Sequence, residues 1–85
     1  DLQLAPNPTT GLLRVSYQPT EVFTKATLML YSSLGKPVLQ FDRSNLEKHQ
    51  TQDWEIDLAA APNGTYFLVV RTDKEIVSKS VVLLR

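Results

Sequence analysis

Cysteine is missing from this chain of 85 residues, which removes a disulfide framework, a thiol nucleophile and a thiolate metal site together. A domain this short buries only about 60–65% of the surface of its unfolded chain, so sheet and core alone must hold it. Histidine is nearly missing too. His49 is the only one and sits beside Lys48 in a polar stretch; a general base needs an oriented carboxylate and a nucleophile around it. His49 therefore reads as a solvated loop residue, and with scattered carboxylates it makes no metal cluster. Nor does Asp42 to Asp57 carry the alternating Asp and Asn pattern, closed by Glu, of a calcium loop. The expectation is a non-enzyme with no metal and no cofactor. Charge of one sign is not in excess, since nine basic residues balance nine acidic ones. Nucleic acid is not an expected partner, because phosphate binding draws on a clustered surplus of Lys and Arg. No apolar run approaches the ~20 residues of a membrane-spanning helix. The chain starts at Asp1 with neither Met nor a signal peptide, which predicts a single domain, residues 1–85, cut from a longer protein.

What the chain does contain is strand pattern. Its 42% apolar and 21% charged shares belong to a folded globular domain, not a disordered tail. Leu2 and Leu4 alternate with polar neighbours until Pro6-Asn7-Pro8-Thr9-Thr10-Gly11 breaks the pattern. Leu13, Val15 and Tyr17 share the next face. Lys25 to Tyr31 is apolar on both faces, as a central strand is. Ser32-Ser33-Leu34-Gly35 has the chemistry of a hairpin closed by a left-handed Gly. The returning strand is expected to end near Phe41, with Pro37 suiting an edge. Asp42 to Asp53 reads as a loop, with a capping box at Ser44-Asn45-Leu46-Glu47 that suggests one helical turn. Trp54, Ile56 and Leu58 alternate again, Ala61-Pro62-Asn63-Gly64 reads as a type I turn, and Thr65 to Arg71 is strongly apolar. After a turn at Thr72 to Glu75, a last strand runs from Ile76. Seven strand-like segments with a turn every ten residues or so predict an all-β fold, a seven-stranded immunoglobulin-like antiparallel β-sandwich without a disulfide. The expected core is Leu13, Val15, Leu28, Leu30, Leu39, Trp54, Ile56, Tyr66, Leu68, Val70 and Val81.

Three blocks taken in order carry a resemblance. They are Ala5-Pro6-Asn7-Pro8-Thr9-Thr10-Gly11, Leu30-Tyr31-Ser32-Ser33-Leu34-Gly35-Lys36-Pro37-Val38, and Ile56-Asp57-Leu58 through Pro62-Asn63-Gly64-Thr65-Tyr66-Phe67-Leu68-Val69-Val70. Lys79-Ser80-Val81-Val82 follows near the end. Together they resemble the C-terminal sorting domain of the bacterial type IX secretion system, over nearly the whole chain. The chain departs from that family in having Ala5 where an aromatic usually precedes Pro-Asn-Pro, and Asp73 and Lys74 where Gly or Asn is usual.

The resemblance implies a non-catalytic secretion signal that directs its parent protein through the outer membrane. Its implied partners are the outer-membrane translocon and a sortase-like cysteine peptidase that attaches the cargo to anionic lipopolysaccharide. Its implied route is the periplasm in transit, then the outer membrane, the cell surface or the medium. The residues expected to be read are Pro6, Asn7, Pro8, Gly35, Gly64, Tyr66, Lys79, Val81, Val82 and Arg85. The last strand, Ile76 to Arg85, is expected to present an open edge that invites strand addition or an edge-paired dimer. Two rival readings stand beside this one. The first is a retained surface domain that docks on lipopolysaccharide or on the secretion machinery. The second is a fibronectin-like carbohydrate-binding or spacer module, which would need two or three exposed aromatics on one sheet face or in loops, with Trp54, Phe23 and Phe41 as the only non-tyrosine candidates.

Overall fold

The computed structural model describes residues 1–46 and 50–85. Seven strands run in chain order: β1 Leu2–Ala5, β2 Leu12–Tyr17, β3 Phe23–Ser32, β4 Pro37–Leu46, β5 Gln52–Asp57, β6 Gly64–Thr72 and β7 Ile76–Leu83. They form a three-stranded sheet, β1-β2-β5, and a four-stranded sheet, β4-β3-β6-β7, with every strand pair antiparallel. The all-β sandwich read from the sequence is the fold. Relative to the immunoglobulin constant arrangement, the fourth strand has changed sheets and pairs with the third.

Alternation places the core. Leu13, Val15 and Tyr17 of β2 and Trp54 and Ile56 of β5 face Leu28 and Leu30 of β3 and Tyr66, Leu68 and Val70 of β6, all buried. The expected core holds with one adjustment: Leu39 is only partly buried, because β4 is an edge. Leu2, Tyr17, Phe23, Ala26, Leu58 and Leu83 join it.

The β3–β4 hairpin is built as its residues dictate. Gly35 donates its N–H to the Ser32 carbonyl (2.9 Å), Ser32 donates to the Lys36 carbonyl (2.9 Å), and Gly35 takes φ +83°. The register slips between Leu30 and Tyr31, the bulge such a loop produces.

Two local expectations fail. The strand expected to stop at Phe41 continues to Leu46, so Ser44, Asn45 and Leu46 are strand and no helical turn starts there. Glu47, which would complete the capping box, and His49 lie outside the described residues. The stretch looked like a loop because it is polar, and an edge strand tolerates polar side chains on both faces. Asp42 accepts a hydrogen bond from Thr27 Oγ1 (3.0 Å), while Arg43 faces inward and lays its guanidinium 4.4 Å above the Trp54 ring. Arg43 also donates to Gln52 Oε1 (2.9 Å) and to the Asp53 carbonyl (2.7 Å), tying the edges of the two sheets together. The second failure is the turn. The hydrogen bond closing the β5–β6 connection runs from Ala61 N–H to the Leu58 carbonyl (3.0 Å), so the turn spans 58–61, three residues earlier than Ala61–Gly64.

Gly64 sits at φ +153°, a conformation that side chains with a Cβ rarely adopt. A Cβ built there meets nothing within 4 Å, so substitution strains the backbone without a clash. Gly64→Val should lower stability by about 1–3 kcal/mol, and Gly64→Ala by most of the same amount. Thermal melts of both variants check this; an unchanged midpoint for Gly64→Ala would place the cost in the bulk of Val instead.

At the opposite end of the sandwich Tyr17 is fully buried and donates its hydroxyl to Glu75 in the β6–β7 turn, joining the two sheets. Burial, the hydrogen bond to Glu75 and the charge of Glu75, in that order, push the Tyr17 hydroxyl well above the usual phenol range. A raised folded value favours the protonated form. Its contribution is thus complete below the unfolded value of about 10 and is lost as pH climbs beyond it. Urea unfolding should show wild-type stability falling above about pH 10 by up to about 1.4 kcal/mol per pH unit. Tyr17→Phe should be less stable at pH 8 and flatter above pH 10.

Candidate functional site

The strands set out two poles. Asp1 pairs with Gln18 beside the β6–β7 turn, whereas Gly11, the β3–β4 hairpin, the β5–β6 corner and Arg85 lie at the other end of a body about 37 Å long. This second pole gathers most of the residues singled out from the sequence.

Pro6 to Thr9 crosses from the edge of the smaller sheet to β7, the edge of the larger. Thr9 bridges Leu83 in parallel, donating its N–H to the Val82 carbonyl (2.8 Å) and accepting from Leu84 N–H (2.9 Å). Asn7 extends that pairing with its side chain, whose Nδ2 donates to the Ser80 carbonyl (3.2 Å) and whose Oδ1 accepts from Val82 N–H (3.0 Å). Residues 7 and 9 therefore face β7, while 6 and 8 face away. Proline stands where no N–H is needed, and it leaves the outer side of the segment without donors at those positions. The expectation of a wholly open final strand is corrected here: from the Ser80 carbonyl onward the β7 edge is covered.

Thr9 holds the segment in place. It is 0% exposed, accepts from Gly11 N–H on Oγ1 (3.1 Å) and donates from that oxygen to the Leu12 carbonyl (2.7 Å). Sequence reasoning passed over Thr9, although a Thr two residues before Gly is the pattern of a side-chain turn.

Arg85 closes the same pole. Its guanidinium donates to the Leu58 carbonyl (3.1 Å) and to the Ala61 carbonyl, and its N–H donates to Asn63 Oδ1 (3.2 Å). These bonds commit its charge to the β5–β6 corner. In that corner Tyr66 is buried and donates its hydroxyl to the Pro62 carbonyl (2.5 Å), four residues upstream. This is the tyrosine corner of immunoglobulin-type sandwiches.

Beside Tyr66 opens a largely apolar cleft of about 510 Å³, flanked by Lys36, Pro37 and Leu39 of the hairpin and by Leu58 and Ala61 of the corner. The cleft joins the Gly35 hairpin to Tyr66, two motifs 31 positions apart in the sequence.

Val81 and Tyr66 are core residues and shape the pole from inside, whereas Pro6, Asn7, Pro8, Gly35, Gly64, Val82 and Arg85 are exposed. Lys79 stands apart, midway along β7 opposite Leu68. It shares the inward face of Val77, Val81 and Leu83, yet it is exposed.

No three His, Cys, Asp or Glu side chains come together to hold a metal ion among the described residues. No curated protein matches the chain. A family model does, that of the secretion system C-terminal sorting domain, and it covers residues 3–84, both poles included. With a latched Pro-Asn-Pro segment, a Gly-closed hairpin and a tyrosine corner all inside the matched span, the chain belongs to the type IX secretion C-terminal sorting domain family.

Proposed function

We propose that this domain is a non-catalytic address read as a folded body by the outer-membrane translocon of the type IX system. After passage through the periplasm, a sortase-like cysteine peptidase then acts on the parent protein for attachment to anionic lipopolysaccharide at the cell surface. The family match over residues 3–84 carries this reading. The geometry supports where the address is read. Pro6, Asn7, Pro8, Gly35, Gly64, Val82 and Arg85 cluster at the pole farthest from Asp1, so any polypeptide attached before Asp1 leaves from the other end. Tyr66 and Val81 support that surface from beneath, and Lys79 marks its margin.

The rival readings draw less support from the side chains. Trp54 and Phe23 are buried, and the exposed aromatics Phe41 (37%) and Phe67 (43%) lie on opposite faces of their sheet. Phe67 shares its outer face with half-buried Tyr31, directly opposite on β3, a single aromatic pair that includes none of Trp54, Phe23 and Phe41. Direct docking on lipopolysaccharide would call for free cations; Arg85 is engaged with backbone carbonyls, so that role would fall to cations such as Lys79.

The test fuses residues 1–85 to a periplasmic reporter in a bacterium that has the system and in a strain lacking its translocon. Reporter at the surface or in the medium in the first strain alone is the expected result. Equal distribution in both strains would sink the proposal.

A further inference from the structure

The latch leaves part of β7 uncovered, and that remainder has a defined length and charge. In an antiparallel ladder alternate residues turn their N–H and C=O groups away from the neighbour. Val82 is turned away from β6, since both of its groups meet the Pro6–Thr9 segment. By the same alternation Ser80, Ser78 and Ile76 are turned away too. Asn7 takes the Ser80 carbonyl. The Ser80 N–H, both Ser78 groups and the Ile76 carbonyl receive no partner from outside β6 among the described residues. This vacancy runs from the β6–β7 turn to Asn7 and spans about 13 Å, the length of a short strand.

The inward row of the vacancy is Val77 and Lys79. Val77 packs partly on the core, and Lys79 has no ion pair among the described residues. An inward-facing charge guards an edge against apolar strands, since any added strand must set a side chain beside it. It admits a strand that brings a carboxylate to that place.

We infer that the Ile76–Ser80 edge accepts one short extended segment of another protein, with an apolar side chain beside Val77 and an acidic one two residues away beside Lys79. As the docking mode of a sorting signal this rests on the function proposed above; as a property of the edge it is tested apart from it. A second copy of the chain fits poorly, because two-fold pairing about Ser78 sets Lys79 of each copy against Val77 of the other.

The probes are the capped peptides Thr-Val-Thr-Glu-Thr and Thr-Val-Thr-Lys-Thr, titrated into the 85-residue chain while amide resonances and amide exchange are followed. The Glu peptide should shift Ser78 and Ser80 and slow exchange at Ser78, binding about five-fold more tightly than the Lys peptide. Lys79→Glu should reverse that order. Ser78→Pro removes an N–H that β6 does not use, so it should abolish binding while the melting transition persists. Equal affinity for the two peptides, shifts confined to the β4 edge, binding that survives Ser78→Pro, or self-association protecting Ser78 without peptide would each overturn the inference. No arm involves export, so failure here leaves the sorting reading standing, and the reverse holds.

Discussion

Deleting Val81 to Arg85 should abolish cooperative folding, not merely bare an edge. Val81 and Leu83 are both 0% exposed, and burying two such side chains contributes about 3–6 kcal/mol. The same deletion removes the Val82 and Leu84 partners of Asn7 and Thr9 and the Arg85 bonds to Leu58 and Ala61. A domain of this size has roughly 4–13 kcal/mol in total, so little is left. Far-ultraviolet circular dichroism against temperature is the check, with no sigmoidal transition expected. Export lost on such a truncation reports misfolding, which is why Ser78→Pro and Lys79→Glu are the sharper probes of the edge. A truncated chain that melts cooperatively near the wild-type midpoint would show β7 to be dispensable.

Thr9→Val is the second large effect, and it comes from a change of almost no volume. Valine keeps the shape and loses the hydroxyl, leaving the buried Gly11 N–H and the part-buried Leu12 carbonyl without their partner. The expected cost is about 2–4 kcal/mol, most of it desolvation that nothing offsets. At about 4–8 °C per kcal/mol for so small a domain, the midpoint should drop visibly. Thr9→Ser retains both bonds and loses only a methyl group, for about 1 kcal/mol. If the Ser variant melts as low as the Val variant, packing of the methyl group and not the hydrogen bonds holds the segment.

These two positions also mark where sequence reading succeeds and where it stops. Period-two alternation in Leu13-Val15-Tyr17 and Trp54-Ile56-Leu58 is local, so strands and their inward faces were legible. So was the Gly35 hairpin, whose turn chemistry lies within a few residues. Composition misled at Asp42 to Leu46, because a polar edge strand and a polar loop use the same residues. The Ala61–Gly64 turn was misplaced because Pro62 and Gly64 suit a turn that a hydrogen bond from Arg85, 24 residues away, competes against at Ala61. At the pole, the Pro-Asn-Pro motif was visible but its partner was not. Asn7 meets Ser80 and Val82 at separations of 73 and 75 residues, and no pattern in a single sequence encodes a side-chain bond across that distance.

Those separations carry a consequence in time. Pairing across nearly the full chain carries a large closure entropy, since the loop it closes is almost the whole domain. A polypeptide that has emerged only as far as Leu68 has nothing for Asn7 to hold, and neither does one broken before Ser80. Closure of the segment thus reports that β7 and the chain as far as Leu84 are present. A receptor that grips Asn7 only in its closed posture would pass intact molecules and reject fragments, with no separate inspection step.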